Sequence, residues 1–298
     1  MQQIIQTALL LGCIYSLVTL ALFISYRVLD IADLTTDGCF VLGMAVSVSL
    51  ARAGHPVLAV FGAMLAGCGA GFITAFLQTR LGVPSILAGI VTNTGLYTVN
   101  LMAMGWSSNL TLLKQETIYT MFRFTGIGGT WYQVVLSAAA ALLCMAAVRW
   151  FMSTRLGLSI RATGDNRDMV SASSINPKFT VTVGLMAANM MTGLSGALAG
   201  QMQKSADINA GNSIVVIGLA CLIIGETVMQ GRKSIGRNIL ACLLGNIIYR
   251  MIYAIILQTR FIPIECLKLM TAVIVALAIA APSMKEQAGV WMRARKEI

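Results

Sequence analysis

From residue 4 to residue 281 the sequence is a succession of apolar runs, each near the roughly 20 residues that a helix needs to cross a bilayer. Nine such runs cover residues 4–26, 34–50, 56–78, 83–105, 131–151, 179–202, 214–229, 239–257 and 264–281. They leave too little polar sequence to clothe a soluble core. Only 11% of the 298 residues are charged and 57% are hydrophobic, against about a quarter charged in a soluble domain. Mean hydropathy is +0.81. The expected fold is an all-α membrane protein, a polytopic bundle of about 8–10 transmembrane helices. Residues 1–298 form one transmembrane domain with no separable linker, and nothing at the N-terminus reads as a cleavable signal.

Several function classes fall away. The seven cysteines lie singly in apolar surroundings and His55 is the only histidine, so neither a metal site nor a disulfide framework is expected. The cysteines read as small buried hydrophobes. No nucleophile motif and no GxxxxGK[ST] phosphate loop occurs, so no catalytic residue and no cofactor of its own is assigned to this chain. The net charge of +10 follows the positive-inside bias rather than a nucleic-acid surface. With the polar stretch 154–178 placed in the cytoplasm, fourteen of the 21 basic residues fall inside and five outside, with Arg250 and Lys268 within spans. That orientation puts the C-terminus in the cytoplasm and the N-terminus outside. Outside, residues 106–130 are expected to carry a short interfacial helix.

The stretch 154–178, "TRLGLSIRATGDNRDMVSASSINPK", is polar and basic between two apolar spans. Turns are expected at Gly157 and near Gly164. Asp165 reads as an N-cap, with Asp168 adding negative charge to the first turn. "DNRDMVSASSI" then makes two to three helical turns, showing Met169, Val170, Ala172 and Ser173 on a partly apolar side, and Asn176-Pro177 stops it. A short helix with both feet in membrane spans is a mechanical lever for a partner below.

Polar groups at membrane depth are expensive and tend to face a cavity or a partner. Asp30, Asp33 and Asp37 cluster with Thr35 and Thr36 in "DIADLTTDG", either as acids tolerated at a helix start or as part of a pathway. "VTNTGLYTVN" places Thr92, Asn93, Thr94, Thr98 and Asn100 in one span, as interhelical hydrogen bonds or as a channel wall. Asn189 and Glu226 are similar single intrusions, Glu226 being within reach of water or Arg232. Arg250 has no local partner and is expected to pair across helices or to meet a substrate carboxylate. The pairs Gly67/Gly71 and Gly196/Gly200 permit close helix contact.

Three segments, in order, carry a resemblance. "TRLGLSIRATGDNRDMVSASSIN" resembles the cytoplasmic loop of permeases in the branched-chain amino acid and ribose ABC importer superfamily. "DIADLTTDGCFVLGM" is similar to their "DLTVDGSF"-like element, and "SIVVIGLACLIIGETVMQGRKSIGRNILACLLG" to their late span, glycine-containing turn and next span. The tryptophan and aromatic amino acid type is the most similar branch. Ser174 departs from the pattern, standing where the family has glycine before Ile-Asn. The resemblance implies a coupling helix that docks in a groove of an ATPase subunit, with Arg161, Gly164, Asp165, Asn166, Arg167 and Met169 as contacts. It implies an importer subunit moving an aromatic or branched-chain amino acid by alternating access. Asp33, Thr35, Thr36, Asp37, Asn93, Thr94 and Asn189 would belong to its translocation pathway. The implied partners are ABC ATPase subunits holding ATP and Mg, an extracytoplasmic substrate-binding protein, a second copy of the chain and the lipid bilayer, in a bacterial inner membrane. The alternative is a self-contained secondary transporter or channel, for which Asp30, Asp33 and Asp37 are the only candidate ion site.

Overall fold

The computed structural model describes residues 2–112, 115–124, 131–229 and 234–258, with isolated helical positions at 269, 272, 273, 276 and 280. The long apolar runs fold as α1 (Gln2–Leu22), α2 (Thr36–Arg52), α3 (Pro56–Thr79), α4 (Ser85–Ala103), α6 (Tyr132–Ser153), α9 (Pro177–Gln203), α10 (Ile214–Met229) and α11 (Ile235–Gln258). The polar connections carry α5 (Ile118–Phe124), α7 (Arg155–Asp165) and α8 (Arg167–Ala172). Among the described residues six helices are long and apolar enough to cross a membrane, and α2 and α10 are shorter. The expected last span at 264–281 lies, apart from those isolated positions, outside the described residues, as do Arg232 and Lys233. The chain is a multi-pass, all-α membrane protein.

Small residues set the packing. The core is the α2–α3–α9 group, where backbones approach so closely that no Cβ fits. Gly43 lies on the Gly193 carbonyl, and a Cβ on Gly193 would stand 2.5 Å from the Ala63 carbonyl. Gly67 and Gly71 face the Asn189 and Leu185 carbonyls, and Gly196 and Gly200 face Phe40 and Met44. Both glycine pairs singled out in the sequence therefore work inside the bundle. In a bilayer, where lipid is as apolar as leucine, association relies on close packing and hydrogen bonds. Apolar side chains fill the rest around α1, with Ile14, Leu17, Leu20 and Phe23 fully buried.

Helix ends follow local rules. Pro56 and Pro177 occupy first-turn positions, where a missing N–H costs nothing. Asn176 caps α9, its side chain accepting from the Lys178 amide at 3.0 Å. Thr154 caps α7, accepting from the Gly157 amide at 3.2 Å. At the other end of the bundle, Asn109–Thr111 pairs antiparallel with Ser205–Asp207, and the short helix expected within 106–130 is α5. Tyr119 of α5 is buried and its hydroxyl lies 3.0 Å from Ser137 Oγ.

The 154–178 segment differs from expectation. Gly157 and Gly164 are not turns; both lie within α7, an amphipathic helix that buries Gly157, Ile160 and Thr163. The helix cap is Asn166, not Asp165: its side chain accepts from the Met169 amide at 3.0 Å, and Asp165 is the last residue of α7. A single extended residue at Asn166 separates α7, where turns were expected, from α8. The second is shorter than expected, because Ser174 takes a left-handed φ of 62°. That conformation favours glycine, the residue that the resemblance implies at this position.

Candidate functional sites

Two helices begin inside the bundle rather than at its ends. Asn189 is the thirteenth of the 27 residues of α9, so it lies near the middle of that helix. The Cys39 thiol in the first turn of α2 donates to the Asn189 carbonyl at 3.3 Å, which sets the start of α2 at mid-depth. The first turn of α10 reaches the same level, where the Val215 amide donates to Asp37 Oδ1 at 2.9 Å. The chain therefore enters α2 through an irregular segment, residues 29–35, that runs inward from the exposed Asp30 to the buried Asp33 and Thr35. Non-helical backbone at such depth is tolerated only where it is buried or lines a cavity.

Residues 29–35 are held by Asp33, 3% exposed. Its carboxylate accepts from the Thr35 amide at 2.9 Å and from Asn189 Nδ2 at 2.7 Å. The Thr36 hydroxyl donates to the Asp33 carbonyl at 3.3 Å, and the Thr35 and Thr74 hydroxyls lie 2.8 Å apart. Asp33, Thr35, Thr36 and Asn189 thus form one buried cluster tying α2, α3 and α9 together. Replacing Asn189 with leucine, which has the same branching and number of side-chain heavy atoms, removes the donor to a buried carboxylate. The expected cost is about 3 kcal/mol, read as a lowered Tm of the detergent-purified protein; an unchanged Tm would show that the contact is not holding the segment.

Asp37, Asn93 and Thr94 sit elsewhere. They line a cavity of about 290 Å³ with Gly38, Val41, Tyr97, Asn100, Ile208, Gly211 and Asn212. That is near the lower end of the range for small-molecule clefts, about 300–1,000 Å³. Asp37 stands in the first turn of α2 while its carboxylate also caps α10, so two helix N-termini converge on one acid. Asn100 donates to the Gly38 carbonyl at 3.1 Å, and its buried Oδ1 has no hydrogen-bond partner among the described residues. Tyr97, Gly211 and Asn212 were not singled out in the sequence; the signal for the last two was the polar "DINAGNS" directly before an apolar run. Asp30, Asp33 and Asp37 do not share a site: Asp30 is exposed in a left-handed turn, Asp33 is in the buried cluster and Asp37 is at the cavity.

The second site is the α7–α8 segment. Gly164 packs on the Val28 carbonyl, at the end of the π-helical stretch Phe23–Val28 that closes α1. The Thr163 and Thr180 hydroxyls lie 2.8 Å apart, joining α7 to α9. Asp165, Asn166, Arg167 and Met169 are exposed, whereas Arg161 is half-buried and shares a cleft with Arg27, Asp165 and Asn238. Glu226 meets Arg27 at 3.0 Å; Arg232 lies outside the described residues. Arg250 lies 4.0 Å from the Tyr15 ring centroid, a cation–π contact between α11 and α1.

Comparison with known proteins gives a consistent picture. A family model described as "Branched-chain amino acid transport system / permease component" matches residues 4–281. The chain is 30% identical over 272 residues to the tyrosine transport system permease protein of Clostridioides difficile, covering 91% of this chain and 88% of that one. It is 29% identical over 281 residues to an uncharacterized protein of Rickettsia prowazekii, covering 93% and 97% respectively. The D-allose transport system permease protein of Escherichia coli is 27% identical over 220 residues, 72% of this chain and 64% of that one. No solved structure matches.

Proposed function

Because the chain belongs to the branched-chain amino acid transport system permease family, we propose that residues 1–298 act as one membrane-spanning subunit of an ATP-driven importer for an aromatic or branched-chain amino acid. ATP and Mg are bound by separate ATPase subunits, and a substrate-binding protein delivers the ligand at the opposite face. Two copies of the chain enclose the pathway in a bacterial inner membrane, with the C-terminus cytoplasmic. The observation that carries this reading is the exposed turn Asp165–Asn166–Arg167 with Met169, held between two membrane helices by Thr154, Gly164 and the Thr163–Thr180 contact.

The ATPase engages that turn, and α7 carries the displacement to the Val28 end of α1 and to α9. Residues 29–35 link both to the Asp33–Asn189 contact and the start of α2. Beyond it lies the polar cavity, where Asp37 accepts the ammonium group of the substrate through the oxygen not bonded to Val215. Asn93, Thr94 and Asn100 supply amide and hydroxyl partners for the carboxylate. Asp37→Asn is expected to lower uptake at least tenfold while Tm changes little, since the amide oxygen still accepts from Val215; wild-type uptake by that variant would remove Asp37 from the pathway.

The test of the whole reading is gentle purification of the tagged chain from its native membranes with identification of what co-purifies. An ATPase subunit that is lost when Asn166, Arg167 and Met169 are replaced together supports it. Recovery of the chain alone, even after cross-linking, would overturn it.

A further inference from the structure

We propose that a groove between α3, α6 and α9 is a binding site for one acyl chain of an anionic phospholipid, with the phosphate held by Arg80 and Lys178. The groove starts as a cavity of about 740 Å³ whose walls include Phe72, Phe76, Phe179 and Met186, and whose mouth carries the two cations. Along α9 it continues into a second cavity of about 360 Å³, lined almost wholly by apolar groups that include Trp150 and Met190; Val183 and Met186 belong to both. Lys178 and Met190 are separated by about 18 Å of helix at 1.5 Å per residue. One leaflet of the hydrocarbon core is about 15 Å thick, so the groove has the length of an acyl chain and its cations stand at headgroup level.

Charge selects the headgroup. Arg80 and Lys178 are exposed, and among the described residues neither forms an ion pair. No acidic residue lines the cavity, and the N-terminus of α9 adds partial positive charge at the same place. A zwitterionic lipid gains less there, because its own cation approaches the same two side chains. Basic pockets at helix ends are a recurrent means of holding anionic headgroups. The site is separate from the polar cavity, and its occupancy does not depend on the transport reading. Lys178 is also the last residue of the 154–178 segment, so a bound phosphate would brace one foot of that segment.

The experiment uses the full chain with Trp150 as its only tryptophan, Trp106, Trp131 and Trp291 being replaced by phenylalanine. It is reconstituted in phosphatidylcholine vesicles containing acyl-brominated phosphatidylglycerol or acyl-brominated phosphatidylcholine. Trp150 is 73% exposed, and quenching of its fluorescence reports bromine in the groove. The brominated phosphatidylglycerol is expected to quench with a preference of roughly fivefold for each cation. R80Q/K178Q should reduce that preference to near unity, and R80K/K178R should retain it, which separates lost charge from lost fold. Equal quenching by the two lipids in the parent protein would overturn the proposal, as would a preference that survives R80Q/K178Q. Absence of quenching by either lipid would also overturn it, by showing that a second copy or another protein covers the groove.

Discussion

Replacing Gly164 with valine is expected to abolish coupled uptake while leaving the bundle folded. The position is in the last turn of α7, where a Cβ would run into the Val28 carbonyl. The obstacle is backbone, so no side-chain rotation relieves it, and α7 must lift away from the end of α1. That contact is one of several places where the α7–α8 segment meets the membrane helices, along with Thr163 on Thr180 and Ile160, which is buried in a cluster with Val181 and Leu185 of α9. The main hydrophobic cluster, drawn mostly from α1, α2, α6, α9, α10 and α11, contains no residue of α7 or α8. In proteoliposomes with the ATPase and binding protein, uptake should fall at least tenfold. Basal ATP hydrolysis should persist, no longer stimulated by loaded binding protein, and Tm should drop by a few degrees at most. Uptake within twofold of wild type would show that movement reaches the bundle by another route.

Gly193→Val should act on the fold itself. A Cβ there is caught between the Ala63 carbonyl at 2.5 Å and Gly67 Cα at 3.3 Å, while Gly43 already rests on the same residue. Three helices would have to separate together. Overpacking a tight interior costs about 1–3 kcal/mol and sometimes more, and here the cost lies at or beyond the upper end because every neighbour is main chain. The expected outcome is loss of monodisperse protein on size exclusion and failure to reach the membrane in normal amounts. Gly95→Ala is the matched control: nothing lies within 4 Å of its Cβ position, and helix propensity alone predicts a gain of about 0.5–1 kcal/mol. Equal behaviour of the two variants would show that the α2–α3–α9 contact does not limit stability.

The same two glycines mark how far the sequence could be read. Glycine in an apolar run signals close approach but not the partner. Gly164 looked like a turn because it sits in polar sequence, yet it is a helical packing residue whose partner, Val28, lies 136 positions away. Asp165 and Asn166 are both good caps by type, and the choice fell to Asn166 because residues 155–165 form a helix where turns were expected, with Asp165 as its last residue. The polar set of the first apolar spans was visible as a set, but its division was not. Asp33 and Asp37 are four apart in one short motif; one is bonded to α9 and the other to the start of α10, because α2 begins between them.

What the sequence determined by itself was the class of molecule. Apolar run length and the scarcity of charge dictate a helical membrane bundle, since every backbone polar group in lipid must be bonded within its own helix. Local signals likewise marked the break at Asn176-Pro177 and a short helix within 106–130, which is Ile118–Phe124. Only the tertiary structure decided where the helices begin in depth, which acid faces the cavity, and which basic residues stand over an open groove. Those properties come from contacts between residues 50 to nearly 200 positions apart, such as Gly38 with Asn100, Asp33 with Asn189 and Asp37 with Val215. Hydrophobic periodicity records only that a side chain avoids water; in a bilayer nearly every position does, so the pattern carries almost no information on which helix it meets.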